Sequence, residues 1–148
     1  MGKRKYTPYK PKVFESRGNY KDSNGNMRKD TSANIYTTML LSDAYKDLKP
    51  RQQALYVVCK SMYLGLSKPR YDKEYKENGL YQDNEYFFMN MDVAVKYGLY
   101  KPNTKELYKD LRVLIEHGFI EKVSQGGGAT KRKNVFKFSD KWQDWKPQ

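Results

Sequence analysis

The sequence predicts a mainly helical α+β fold with a small antiparallel β-sheet, and three stretches predict it. Residues 104–116 (TKELYKDLRVLIE) place Leu107, Leu111, Leu114 and Ile115 at i, i+4, i+7 and i+8, one apolar stripe at the period of an α-helix. Residues 50–64 repeat that period, with Leu55, Val58, Cys59 and Met62 at i, i+3, i+4 and i+7. Residues 119–123 read as a strand, residues 134–138 alternate polar and apolar as the returning strand, and Gly126, Gly127 and Gly128 lie between them, which is the pattern of a hairpin with a glycine tip. At 148 residues the chain has the length of one domain with tails.

Residues 1–33 interleave Lys and Arg with Tyr, Pro, Gly and Asn and show no period, so they cannot bury enough to offset the entropy of ordering them. A basic, disordered arm is expected there. Its aromatics, Tyr6, Tyr9, Phe14 and Tyr20, suit nucleic acid by stacking, and its charge suits solubility equally well. The run Asp22-Ser23-Asn24-Gly25-Asn26 resembles a calcium loop, but the sixth loop position is Met27 instead of Gly and the twelfth is Ala33 instead of Glu. A domain is expected over residues 34–138.

Tyr36 to Leu41 reads as a short extended piece, and Ser42 as the N-cap of a helix over residues 43–48. Pro50 suits the first turn of the next helix, which is expected to run to about Leu64 and stop at Gly65. Tyr56 and Val57 widen its buried arc, while Arg51, Gln52 and Lys60 are expected outside. Residues 68–84 are polar, carry both signs of charge and read as a loop or a broken helical turn. Residues 85–89 are strand-like by their aromatics and are expected to pair with the hairpin, closing a three-stranded sheet. Asn90 or Asp92 starts a short helix over residues 92–97 that Gly98 stops, and residues 99–102 form a turn.

In the longer helix Asn103 reads as the N-cap with Glu106 reaching back to it, so the helix is expected to begin at Thr104. Lys105, Tyr108, Lys109 and Arg112 lie opposite its apolar stripe, where long donors reach phosphates or base edges. The same residues also suit a solvated amphipathic helix. His117 and Gly118 read as a last-turn residue and a C′ glycine. Lys131, Arg132 and Lys133 then add three positive charges beside the hairpin tip. A short helix, a turn, a longer basic-faced helix and a basic-tipped hairpin make up a winged helix-turn-helix. In residues 139–148, a C-terminal tail or short helix, Trp142 and Trp145 are three apart and share a face.

The net charge of +12 asks for a polyanionic partner. Its distribution sharpens this: residues 1–30 hold nine basic and three acidic side chains, residues 31–118 thirteen and eleven, and residues 119–148 seven and three, so the ends carry the excess. With one cysteine, Cys59, and one histidine, His117, neither a disulfide framework nor a Cys/His metal site can be built within the chain, which fits a cytoplasmic protein. Cys59 lies in an apolar stripe and reads as a buried small hydrophobe. No apolar run reaches the length of a membrane span, and the basic start is not followed by an apolar segment. No phosphate-binding glycine loop is present, and no carboxylate pair stands out, so no enzyme, cofactor or metal is expected.

From Ile35 to Phe138 the order of elements resembles the winged-helix domains at the N-termini of plasmid replication initiators and phage replisome organisers. The likeness is carried by Leu40-Leu41-Ser42-Asp43-Ala44-Tyr45, Ala54-Leu55-Tyr56, Tyr86-Phe87-Phe88, Thr104-Lys105-Glu106-Leu107-Tyr108-Lys109-Asp110-Leu111 and Glu116-His117-Gly118-Phe119-Ile120-Glu121-Lys122. It is similar too to MarR-like transcription regulators and to accessory proteins of conjugative plasmids. The resemblance implies binding of double-stranded DNA through residues 104–112 and the wing. The expected role, given the chain's length, is an origin-marking accessory factor of plasmid or mobile-element replication or transfer, or else a repressor. A basic RNA-binding module and a protein-interaction module are the other readings. A homodimer, or a replication or transfer protein, is an expected partner through Trp142 and Trp145.

Overall fold

The structure, a computed structural model, describes residues 10–22, 24–63, 85–124 and 134–148. The chain divides into two units, Met1–Ser32 and Ala33–Gln148.

In the first unit β1 (Asn19–Lys21) and β2 (Met27–Lys29) form an antiparallel hairpin, an element that the patternless composition does not announce. Its turn supplies the reason. Asp22 Oδ1 accepts hydrogen bonds from the N–H groups of Asn24 and Asn26, both at 2.9 Å, and Gly25 takes φ +79°. Arg28 Nε donates to Asp22 Oδ2 at 2.9 Å, and this bond, with those of the turn, holds the carboxyl below its ordinary pKa. Asp22, Asn24, Gly25 and Asn26, from the run that resembles a calcium loop, therefore belong to a hairpin turn organised by one aspartate.

The second unit is a small α+β fold. Its elements are α1 (Thr37–Leu40), α2 (Asp43–Asp47), α3 (Pro50–Lys60), β3 (Tyr86–Phe88), α4 (Met91–Lys96), α5 (Glu106–Glu116), β4 (Ile120–Ser124), β5 (Val135–Phe138) and a C-terminal 3-10 turn (Lys141–Asp144). Two caps form as expected. Ser42 Oγ accepts from the Tyr45 N–H at 3.2 Å to start α2, and Asn90 Oδ1 accepts from the Val93 N–H at 3.0 Å to start α4. Gly98 and Gly118, which follow α4 and α5, both have positive φ, +78° and +83°.

Four local expectations are corrected. Residues 37–40 are helical instead of extended, because one helical turn carries Met39 into the core, and that burial overrides the local preference of Tyr36, Thr37 and Thr38 for strand. The Asn103 cap does not form: Asn103 sits at φ +65°, Thr104 Oγ1 donates to the Lys101 carbonyl at 3.1 Å, and α5 starts at Glu106. A left-handed Asn turns the chain before the helix instead of capping it. α3 ends at Lys60, short of Leu64, and the expected stop at Gly65 lies outside the described residues, as does the loop of residues 68–84. On α3 Gln52 is buried instead of exposed, while Val57 is exposed.

The second sheet has strand order β3-β5-β4, all antiparallel, with Phe87 opposite Phe136 and Ile120 opposite Phe138. The 85–89 stretch therefore pairs with the hairpin as expected. Phe87 lies against the rings of Phe138 and Phe136, at 4.6 and 5.6 Å between centroids, and Phe119 meets Tyr56 at 5.0 Å. Leu55, Cys59, Leu107 and Leu114 complete the centre of the core with no exposed surface. Burial pushes the Cys59 thiol pKa far up, as for a structural cysteine.

Both tryptophans lie on the domain. The Trp142 ring is parallel to Phe119 at 6.1 Å, and Trp145 stacks on His117 at 4.5 Å. The His117 ring nitrogens face the Val113 carbonyl and Asp47 Oδ2, each at 2.8 Å, so the helix end is tied to α2. Among the described residues no helix is long and apolar enough to cross a membrane.

Candidate nucleic-acid interface

α5 separates two chemistries at one period. Leu107, Leu111 and Leu114 are buried, whereas Tyr108, Lys109 and Arg112 are exposed, and so is Lys105 at the N-cap position. The last four fall at i, i+3, i+4 and i+7 and share one face. Thr104, expected to begin that face, stands instead in the preceding turn with its hydroxyl engaged and its side chain half-buried.

The orientation of α5 is set from behind by a residue that the sequence reading leaves unassigned. Asp110 is only 5% exposed and lies among the buried Leu107, Leu111 and Leu114, although Lys109 beside it is exposed. Its Oδ2 accepts from Arg51 Nε at 2.8 Å and from the Tyr100 hydroxyl at 2.6 Å, and its Oδ1 accepts from Gln52 Nε2 at 3.1 Å. The Arg51 guanidinium also lies over the Tyr100 ring at 5.0 Å and reaches Glu106 at 3.2 Å. One carboxylate thereby joins α3, the turn after α4 and α5, and fixes the rotation of α5 about its axis. The titration behaviour of the partners agrees. The hydrogen bond that Arg51 donates to Asp110 raises the Arg51 pKa, and burial, reinforced by the same carboxylate, raises that of Tyr100. A signal for Asp110 does exist in the sequence: it falls three residues after Leu107 and four before Leu114, inside the apolar stripe.

On the outward face Lys109 shares Glu106 at 3.6 Å. Among the described residues no carboxylate pairs with Lys105 or Arg112, so both side chains remain available to an external acceptor. Such exposed pairing as Lys109 has is worth little, about 0.3–0.5 kcal/mol for a helical neighbour pair, and yields readily to phosphate.

The hairpin expected to grip the backbone is present in its strands. β4 and β5 pair through Ile120↔Phe138, Glu121↔Lys137 and Lys122↔Phe136, and the register shifts between Lys122 and Ser124. Such an irregularity re-aims a strand where regular pairing ends. Lys122 is exposed on β4 and adds a cation to this side of the sequence pattern. Lys131, Arg132 and Lys133, expected at the tip, lie outside the described residues.

Compared with models of protein families, with curated proteins and with solved structures, the chain matches none.

Proposed function

We propose that this chain binds double-stranded DNA as a winged helix-turn-helix domain, with α5 in the major groove and the segment between β4 and β5 on the flanking backbone or minor groove. The observation that carries this reading is the outward face of α5, Lys105, Tyr108, Lys109 and Arg112, held in a fixed rotation by the buried Asp110. A helix of this diameter fits the major groove, and long donors at i, i+3, i+4 and i+7 reach phosphates and base edges along it. Lys131, Arg132 and Lys133 supply charge for the backbone. The cellular role that goes with this reading is an origin-marking accessory factor of plasmid or mobile-element replication or transfer, and it rests on the sequence resemblance alone. A transcriptional repressor would use the same face.

Two variants separate the roles assigned to helix and wing. Arg112→Ala is expected to reduce sequence preference by roughly 1–3 kcal/mol at one base position, the worth of a bidentate guanine contact. Replacing Lys131, Arg132 and Lys133 together by Ala is expected to weaken binding to all sequences alike and to flatten the dependence of log K on log[salt] by about 2.7, at about 0.9 per phosphate. Binding titrations on one duplex at several salt concentrations read both effects. If neither variant changes binding while removal of residues 1–30 abolishes it, the groove model fails.

A further inference from the structure

We infer that the hairpin of β1 and β2 is a second DNA contact, a two-stranded ribbon that lays Asn19, Lys21, Met27 and Lys29 against duplex phosphates. It rests on the DNA-binding reading of α5 and adds a site outside that helix. Every residue of the two strands is exposed, and a two-stranded ribbon without a buried face is marginal in water by itself. A ribbon of this kind is stabilised by whatever covers it, and its chemistry states what that is.

The register decides which side chains act together. Asn19 is opposite Lys29 and Lys21 is opposite Met27, so these four share one face, while Tyr20 and Arg28 share the other. Lys21 and Lys29 stand diagonally across the pair, within reach of one another's long side chains. The carboxylates of the unit are engaged by local donors. Asp22 takes Arg28 and the N–H groups of Asn24 and Asn26. Asp30 accepts from the Thr31 N–H and from the Ser16 hydroxyl, and Glu15 accepts from the Lys12 N–H at 2.9 Å. Arg28 is thus neutralised on its face. Among the described residues no carboxylate pairs with Lys21 or Lys29 on theirs.

The ribbon therefore presents a small cationic face of two lysines and one amide, on which Met27 is the one large apolar side chain. Protein interfaces are depleted in Lys and built on larger apolar anchors, whereas phosphate contacts use Lys and Asn. Charge complementarity selects the phosphate backbone. Tethering to a domain that binds the same duplex raises the effective concentration of this weak contact, which lets a small ribbon matter.

The test uses the full chain and salt titrations on duplex DNA, with the wild type, Lys21→Ala/Lys29→Ala, Gly25→Val and Arg112→Ala side by side. The double variant is expected to flatten the log–log salt slope by about 1.8, at about 0.9 per phosphate, and to leave sequence preference unaltered. Gly25→Val keeps the charge and meets no atom within 4 Å, but Gly25 sits at φ +79°, where a β-branched residue is strained. It is expected to open the ribbon and weaken binding to a similar extent. An unchanged slope in the double variant overturns the inference. So does wild-type binding by Gly25→Val, since loose charge would then suffice without a ribbon. Failure of the α5 reading shows elsewhere, as an Arg112→Ala protein whose sequence preference equals that of the wild type.

Discussion

Asp110→Asn is expected to destabilise the second unit by about 2–4 kcal/mol, although it replaces one oxygen by nitrogen. The carboxylate takes three donors on two oxygens: Gln52 on Oδ1, and Arg51 with Tyr100 on Oδ2. An asparagine offers one oxygen and an NH2 group. In one orientation the NH2 group points at the Gln52 amide donor. In the other it points at both Arg51 Nε and the Tyr100 hydroxyl. Gln52 and Tyr100 are 6% and 7% exposed, so water does not replace the lost acceptor, and the negative charge that answers Arg51 is lost as well. Urea unfolding monitored by circular dichroism measures the effect. Asp144→Asn, on an exposed position of the C-terminal turn, is the matched control and is expected to change stability by less than about 0.5 kcal/mol. A loss below about 1 kcal/mol for Asp110→Asn would show that the network does not hold α5.

Gly118→Ala is expected to cost about 3 kcal/mol, and the reason is two effects at one atom. Gly118 sits at φ +83°, where a side chain costs roughly 1–2 kcal/mol. An added Cβ would also lie 2.5 Å from the Trp142 backbone nitrogen and 2.6 Å from the Lys141 carbonyl carbon, so the clash is with backbone and cannot be relieved by a rotamer. The Trp142 N–H donates to the Gly118 carbonyl at 3.0 Å, and the substitution pushes this contact apart and lifts Trp142 from Phe119. Gly98→Ala separates the two contributions. Gly98 has nearly the same backbone angle, φ +78°, but open space around it, so it is expected to cost only about 1 kcal/mol. Equal losses at the two glycines would contradict the close approach of the C-terminal turn to the end of α5.

What the sequence made legible follows from where local and tertiary preferences agree. The stripe of Leu107, Leu111 and Leu114 needs only the helical period, and Ser42, Asn90, Gly98 and Gly118 act through the backbone next to them. The pairing of residues 86–88 with the returning strand was likewise readable, since three short aromatic or β-branched runs close a sheet most simply in that way.

Elsewhere distant partners decided the outcome. Residues 37–40 look extended by composition and become helical to seat Met39. Gln52 looks like a surface residue until Asp110, 58 positions away, supplies its acceptor. Asn103 and Glu106 match a capping box, but Glu106 is drawn to Arg51, and Asn103 turns the chain instead. The β1–β2 hairpin was hidden because its stability lies in one aspartate-centred turn and in no apolar alternation. Of the candidate site, the exposure of Lys105, Tyr108, Lys109 and Arg112 was legible from the helical period, whereas the place of Thr104 in the preceding turn and the network around Asp110 were not.

The measurement that bears most directly on the central claim is selection of the purified full chain against a pool of random duplex DNA at about physiological salt, with sequencing of the bound fraction. The α5 reading predicts enrichment of a defined motif, lost or relaxed at one position in Arg112→Ala, and the symmetry of the motif reports whether one copy or two bind. Tight, salt-sensitive binding with no enriched motif would contradict groove recognition by α5 and leave phosphate attraction as the whole of the binding.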